Sequence, residues 1–272
     1  MKFLAYSQER IKMPCVLMDN QLGDCMECKS PIEHKSNRLE ELIGQLEKEY
    51  DDGCSESDFK KLKETIEKLG GLDEKLITIF HFIFFGKFEV IEKYNESFLS
   101  LLNNEPENIK EIIEEEIFSP EFKYGNHRKY CKKSYEYYRE AIKSFLKLLP
   151  ELKNDLKSDE PFDTLYKKIS KKVYSFGRTA TWDFLEIIDR KLLKGKLYPA
   201  KLYLRDSTGP KEGVLYFFGV DKINELKENL EEAGMDILSI ILNSNINNKI
   251  KKDRFLIYKL EDALCNFQKG KY

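Results

Sequence analysis

The sequence predicts an all-α protein of about ten helices, with at most a minor β element. Apolar residues recur every three or four positions along most of the chain, and strictly alternating segments are almost absent. The composition, 41% hydrophobic and 35% charged, is typical of helices that bury one face and solvate the other. With 272 residues the chain is long enough for one large domain or two modest ones.

The N-terminal part of the chain changes character near residue 36. Residues 1–36 lack periodicity and contain Pro14, Gly23 and Pro31, which predicts an irregular arm. Residues 37–272 are predicted to form the helical domain, with 37–118 as an alternative separate subdomain. Apolar stripes predict the first helices at 38–50, 59–69, 73–85, 90–102 and 107–118.

The C-terminal part reads as helices interrupted by turns. A long helix is predicted from residue 130 and should end before Pro150, and two more are predicted at 161–173 and 179–193. Residues 200–205 are expected to be extended. Further helices are predicted at 212–218, 222–233 and 260–267, whereas 236–242 and 255–258 have the apolar content of short strands.

Charge is distributed unevenly along the chain. The formal net charge is only −2, but residues 122–211 hold 22 Lys+Arg against 11 Asp+Glu, and the remainder holds 24 against 37. A basic block of this kind can attract a nucleic acid or another polyanion. The same lysines can also serve only to solvate the surface, so the count alone leaves both interpretations open.

Targeting and metal signals are weak. The N-terminus does not read as a secretory signal, and the longest apolar stretch, residues 76–85, is about half of a membrane span. We therefore expect a cytoplasmic protein with no membrane partner and with reduced cysteines.

The cysteines at positions 15, 25, 28 and 54, with His34, have zinc-binding chemistry, but their spacing fits no standard finger and no metal site is predicted.

The first candidate site is a helical hairpin whose turn contains Gly177. Backbone N–H groups at the start of the second helix would suit a phosphate, with Arg178 and Thr179 completing the contact. Gly177 would permit a positive φ or a close backbone approach. An ordinary turn between two helices explains the same residues. Trp182 is either a packing residue or a surface on which a base stacks.

The second candidate site is the turn between residues 205 and 211. Asp206, Ser207 and Thr208 can accept hydrogen bonds or protons, and Arg205 and Lys211 supply positive charge beside them. Such a mixture suits a phosphorylated or charged group. Alternatively, Asp206 or Ser207 only caps the helix that follows.

The third candidate site is the aromatic and basic stretch of residues 122–139. Cations interleaved with tyrosines suit phosphate contacts combined with base stacking. A half-buried helix with core tyrosines and solvated lysines is the alternative. The residues predicted to contact DNA here are Lys123, Arg128, Lys129 and Lys132.

Three segments together carry a family resemblance: Phe176–Leu185, Leu202–Gly213 and Leu260–Lys269. They resemble the helical amino acid:DNA transferases and alpha-glutamyl/putrescinyl-thymine pyrophosphorylases, which are associated with thymine hypermodification in phage and prophage DNA. That group is related to helix-hairpin-helix DNA glycosylases. The resemblance therefore implies a helical fold that grips duplex DNA and presents a flipped base.

The resemblance also implies residue roles. Gly177 and Arg178 would lie in the hairpin, although a single glycine departs from the glycosylase pattern, and Asp206 would take the place of the catalytic aspartate. An amine or amino acid would displace pyrophosphate from an activated 5-hydroxymethyluracil base. Asp206 would accept the amine proton, and Arg178, Arg205 and Lys211 would stabilise the departing pyrophosphate. No cofactor is evident, and Mg²⁺ is compatible only as a companion of the pyrophosphate.

Two other functions fit the same residues. One is a DNA glycosylase that excises a modified base with Asp206 as the catalytic carboxylate. The other is a non-catalytic helical protein that binds DNA, for example in phage defence. Walker, Rossmann and nucleophile-elbow motifs are absent from the sequence, which argues against nucleotide-dependent kinases and dehydrogenases.

Overall fold

The computed structural model describes residues 31–51, 56–125, 128, 131–219, 226 and 228–269. These residues form helices and loops without any β-strand, so the all-α prediction is confirmed. The α-helices are α1 (Pro31–Asp51), α2 (Glu56–Lys68), α3 (Leu72–Phe85), α4 (Phe88–Ser100), α5 (Tyr135–Lys157), α6 (Phe162–Lys172), α7 (Arg178–Ile187), α8 (Gly209–Phe218), α9 (Leu230–Asn243), α10 (Asn248–Lys251) and α11 (Leu256–Phe267). A 3₁₀ turn, Pro106–Ile109, and two π-helical turns, Ile112–Ile117 and Ile188–Leu193, lie between them.

Helix α3 is the centre of the fold. Every residue from Leu76 to Phe85 is buried, and the helix contacts α4, α5 and α7. It ends at Gly86, whose φ of +67° requires a residue without a side chain and whose N–H donates to the Phe82 carbonyl at 2.8 Å. An all-round apolar helix of this kind must be enclosed by its neighbours.

A buried histidine, His81, lies at the middle of this helix. Its Nδ1–H donates to the Ile77 carbonyl at 2.7 Å, its Nε2 accepts from the Tyr138 hydroxyl at 2.8 Å, and its ring stacks on Phe98 at 3.8 Å. Burial lowers the pKa of His81 to about 3, so the ring is neutral. We call His81, Ile77, Tyr138 and Phe98 the histidine core.

Helices α5 and α6 are joined by ion pairs. Lys168 bonds Glu151 at 2.9 Å and Asp155, and Lys172 bonds Glu151 at 2.6 Å. Two of the four lysines that the sequence places on the outer face of α6 therefore tie it to α5. The other two, Lys167 and Lys171, are exposed and make no ion pair within the described residues.

The two ends of the described chain meet. On α1, Glu49 accepts hydrogen bonds from Lys259 and Asn266 of α11, each at 2.8 Å. Helix α8 lies so close to α11 that a side chain on Gly213 would overlap the Leu264 backbone. The first helix of the alternative subdomain 37–118 thus packs against the C-terminal helices.

Several predicted boundaries differ from the structure. Residues 236–242 and 255–258, predicted as strands, are helical, because short apolar runs have no period that separates a strand from a buried helix. Pro150 does not follow the end of α5 but lies inside it. Helix α1 begins at Pro31, within the predicted arm, while residues 1–30 and most of the predicted 222–229 helix segment lie outside the described residues.

Among the described helices, none combines the length and the apolar character needed to cross a bilayer.

Candidate functional site

The predicted hairpin is present as α6, a short turn and α7. Gly177 is the residue before α7, with φ −73°, and no atom lies within 4 Å of the position that a side chain would take. Neither a positive φ nor a close approach therefore explains this glycine, contrary to expectation. The left-handed residue of the turn is instead Ser175, with φ +68°. Thr179 is half-buried in the first turn of α7.

Arg178 begins α7 and is buried. Its Nε donates to the Tyr203 carbonyl at 3.1 Å, its Nη2 donates to the Leu202 carbonyl at 2.6 Å, and its Nη1 forms an ion pair with Glu261 of α11. The guanidinium also lies 5.0 Å from the centre of the Trp182 ring. Because these partners occupy its donors, Arg178 positions residues 202–203 and has little left to offer a pyrophosphate.

The predicted turn follows directly on the segment that Arg178 holds. Arg205, Asp206 and Thr208 are exposed, and Lys211 is half-buried. Ser207 is buried, and its Oγ donates to the Leu204 carbonyl at 2.9 Å and accepts from the Lys211 N–H at 3.2 Å. Ser207 is therefore the capping residue at the start of α8, whereas Asp206 is left accessible.

A pair of stacked tyrosines adjoins this turn. The rings of Tyr166, on α6, and Tyr203 lie 3.7 Å apart at 25°. Burial, together with the charges of Asp206 and Glu231, raises the pKa of Tyr166 to about 12, and Arg178 opposes this shift. Glu231 of α9 accepts a hydrogen bond from the Arg205 N–H at 3.2 Å. We call Tyr166, Tyr203, Asp206 and Glu231 the tyrosine site.

The aromatic and basic stretch meets the hairpin from the other side. The Tyr137 ring packs edge-on against Tyr174 at 5.3 Å, and Ser144 Oγ accepts from the Tyr174 N–H at 2.8 Å. Tyr174 is half exposed, and Lys123 and Lys132 are exposed. The structure therefore brings Tyr137 of the aromatic and basic stretch into contact with Tyr174 in the turn of the hairpin.

Three of the residues predicted to contact DNA lie inside the protein: Ser207, described above, Arg128 and Trp182. Arg128 is buried, and it donates to the Ile83 carbonyl at 2.6 Å and to Asp183 of α7 at 3.0 Å. It thereby closes the end of α3 against α7. Trp182 is 1% exposed and packs against Phe162 and Tyr258, which leaves no face for a base. Lys129 lies outside the described residues.

Four carboxylates on α7 and α11 were not singled out from the sequence: Asp183, Glu186, Glu261 and Asp262. Glu186 pairs with Arg190 at 3.1 Å. Burial and the charges of Asp183 and Glu261 nevertheless raise its pKa to about 7. Burial and the Glu186 charge also raise the pKa of Asp262. The signal in the sequence was the presence of acidic residues on largely apolar helices, three positions apart on α7 and adjacent on α11. Their roles could not be predicted from it, because their partners include residues on distant helices.

The described residues contain no group of three or more His, Cys, Asp or Glu side chains arranged to hold a metal ion. The cysteines at positions 15, 25, 28 and 54 fall outside the described part of the chain, as does the side chain of His34. The two described cysteines, Cys131 and Cys265, are free thiols.

Comparison with known proteins gives one match. Residues 75–272 match the family described as amino acid:DNA transferase. No curated protein and no solved structure matches the chain. The matched range covers most of the chain and includes the hairpin, Arg178, the Asp206 turn and both helices that carry the buried carboxylates.

Proposed function

The chain belongs to the amino acid:DNA transferase family, and on that premise we propose that it transfers an amine or amino acid onto a pyrophosphate-activated 5-hydroxymethyluracil base in DNA. In this reaction the amine nitrogen attacks the methylene carbon. A C–N bond forms, the C–O bond to pyrophosphate breaks, and the nitrogen loses a proton. The family match carries the proposal, and an accessible Asp206 beside exposed cations supports it.

Asp206 is the proposed acceptor of the amine proton. It is exposed, and its turn is fixed on one side by Arg178 and on the other by the Ser207 cap. A carboxylate held in this way can meet a substrate without moving the chain. Arg205 and Lys211 flank it as the proposed contacts of the pyrophosphate. Arg178 acts through the backbone of residues 202–203 and is therefore a positioning residue.

The proposed DNA surface is the side of the hairpin where cations are exposed. Lys167 and Lys171 are exposed on α6, Lys123 and Lys132 are exposed in the aromatic and basic stretch, and Tyr174, which contacts Tyr137 of that stretch, is half exposed. Lysines would contact phosphates, and the tyrosine would stack on an unpaired base. Any Mg²⁺ would arrive with the pyrophosphate, since the described residues offer no three-ligand group of their own.

The reaction is tested with duplex DNA that carries pyrophosphorylated 5-hydroxymethyluracil and with a primary amine as donor. We expect a heavier nucleoside and one pyrophosphate per transfer, both measured after DNA digestion. Asp206→Asn should lower kcat about 10²- to 10⁴-fold, the usual effect of losing a general base. Asp159→Asn, an exposed residue after α5 that already has a positive φ, is the matched control.

Other products would overturn the proposal. Free base with abasic DNA would establish the glycosylase alternative. No turnover by either the wild type or Asp206→Asn, with DNA binding retained by both, would establish the non-catalytic alternative.

DNA binding has a separate test. A gel shift at increasing salt should show steeply falling affinity, and the double variant Lys167→Gln/Lys171→Gln should reduce the slope of log K against log salt by roughly 2. Lys60→Gln/Lys68→Gln, with two exposed lysines on α2, is the control. Equal slopes for the two variants would place the DNA elsewhere.

A further inference from the structure

The tyrosine site has polar groups that the protein itself does not satisfy. Tyr166 is only 7% exposed, yet its hydroxyl makes no hydrogen bond within the described part of the chain. One oxygen of Glu231 accepts from the Arg205 N–H, while the other, Oε2, is buried without a partner among the described residues. A buried carboxylate oxygen normally has a partner, so Glu231 Oε2, in the same site as a largely buried tyrosine whose hydroxyl bonds no described residue, indicates a missing hydrogen-bond donor.

The charge around these atoms is negative. Asp206 and Glu231 lie close enough to Tyr166 to raise its pKa, and a third carboxylate, Asp163, accepts the hydroxyl proton of Tyr203. Among the cations nearby, Arg178 is paired with Glu261 and Lys201 lies 4.8 Å from the centre of the Tyr203 ring, whereas Arg205 and Lys211 are the proposed contacts of the pyrophosphate. The missing donor should therefore be positively charged.

The shape of the site restricts the donor to a small group. The two rings stack face to face at 3.7 Å, which leaves their edges and outer faces for a ligand, and Asp206 lies in the exposed turn of the same site. A cation that carries N–H bonds can approach an aromatic face and donate to carboxylate and phenol oxygens at the same time. A primary ammonium group has this chemistry.

We propose that the tyrosine site binds the primary ammonium group of the transferred donor, with Glu231 Oε2 and the Tyr166 hydroxyl as hydrogen-bond acceptors. The inference rests on the proposed function, in which Asp206 then takes a proton from the bound nitrogen. The freed electron pair forms the bond to the methylene carbon, and the proton passes from Asp206 to solvent. Glu231 and Tyr166 bind the donor, and Asp206 activates it.

Binding can be measured without DNA. The whole protein is titrated calorimetrically with butane-1,4-diamine and, separately, with glycine, which share the ammonium group but differ in the carboxylate. Glu231→Gln and Tyr166→Phe should each weaken binding of the preferred amine about ten-fold or more, because a hydrogen bond to a charged group is lost. Binding of glycine that also falls in Arg205→Gln would identify an amino acid as the donor. Binding of the diamine alone would identify a polyamine.

Two controls isolate the hydrogen bonds. Glu232→Gln removes an exposed carboxylate from the same first turn of α9 and should leave the affinity unchanged. Tetramethylammonium is a cation without N–H bonds, so its affinity should not change in Tyr166→Phe. Melting curves establish that each variant is folded. Equal affinities for the wild type and Glu231→Gln, or no amine binding at all, would overturn the inference.

The DNA assay separates failure of this site from failure of the proposed function. If the function and the site both hold, Tyr166→Phe raises KM for the amine with little change in kcat. Product formation with an unchanged amine KM in Glu231→Gln would overturn the site and leave the function standing. Amine binding that depends on Glu231, without any transfer to DNA, would overturn the function and leave the site standing.

Discussion

The histidine core and the tyrosine site both contain largely buried polar side chains, but within the part of the chain that the structure describes these are hydrogen-bonded in the first and partly without hydrogen bonds in the second. In the histidine core, both His81 ring nitrogens and the Tyr138 hydroxyl are hydrogen-bonded. In the tyrosine site, the Tyr166 hydroxyl and one Glu231 oxygen have no partner among the described residues. Most buried polar groups are satisfied within a fold; Trp182 Nε1, which bonds no described residue, is an exception in the core, whereas the groups of the tyrosine site are close to the exposed Asp206 turn, where a ligand can supply the partner.

Arg178 tests most directly which residues next to the tyrosine site serve the fold and which serve a ligand. It adjoins the tyrosine site, but its donors are occupied like those of the histidine core. We expect Arg178→Met to lower the free energy of unfolding by about 3–5 kcal/mol, because the buried carboxylate of Glu261 loses its ion pair with the Arg178 guanidinium. Urea titration followed by circular dichroism measures this loss.

Two companion variants complete that measurement. Arg178→Met/Glu261→Met should recover much of the lost stability, since the buried carboxylate that has lost this ion pair is removed as well. Arg205→Met, in the exposed turn, should change stability by no more than about 0.5 kcal/mol. If Arg178→Met were as stable as the wild type, Arg178 would have to be assigned to the substrate and not to the fold.

The histidine core should make the free energy of unfolding depend on pH. The folded pKa of His81 is about 3, below its ordinary 6.5, so the unfolded chain takes up this proton first as the pH falls. The contribution of neutral His81 to stability is therefore complete above pH 6.5 and is lost toward pH 3. Between pH 6.5 and 4.5 the loss amounts to about 2–3 kcal/mol.

The measurement compares urea unfolding of the wild type and His81→Gln at several pH values. Glu186 acts in the opposite direction in this range, because its folded pKa of about 7 lies above its ordinary 4.5. Its contribution cancels in the difference between the two proteins. Parallel stability curves would mean that His81 titrates normally and that its core is open to water.

The smallest effect compares two tyrosines directly. Tyr138→Phe should cost about 1–3 kcal/mol of stability, because the His81 Nε2 loses its only donor. Tyr166→Phe should change stability by less than about 0.5 kcal/mol, because its hydroxyl bonds nothing within the described residues. Thermal melts of both variants suffice. A similar cost for the two would show that Tyr166 also has a structural partner.

The helices were predictable because their signal is local. Apolar stripes place α3 and α6 within one residue of their observed ends, whereas α5 begins at Tyr135 and not at residue 130, because the Ser134 cap and not the apolar pattern sets its start. The predicted end of α5 before Pro150 was wrong. A proline usually ends a helix, but here Leu152 and Leu156 continue the buried apolar stripe beyond it. The strand prediction for 236–242 failed because its isoleucines suit a strand and a buried helix equally.

The site was predictable only in part. Asp206 and its neighbours were found because small, polar and ionic residues concentrate in one turn. The burial of Arg128 and Arg178 was not predictable, since their partners are 45 and 55 residues away in one case and 24 to 83 in the other. Glu231 was missed for the same reason, because only the fold brings α9 to the Arg205 N–H. The likeness to helix-hairpin-helix glycosylases stays a prediction.

Tyr203 is the residue of the tyrosine site whose backbone is unusual. Its φ is +53°, a left-handed conformation that costs an aromatic residue roughly 1 kcal/mol or more, and Arg178 fixes the carbonyls of residues 202 and 203. The ring is thus oriented when the chain folds and keeps that orientation before any ligand arrives. Because the protein does not have to be ordered when a small donor binds, little affinity is lost to conformational entropy. The binding entropy should therefore be dominated by the water that the donor releases from the site.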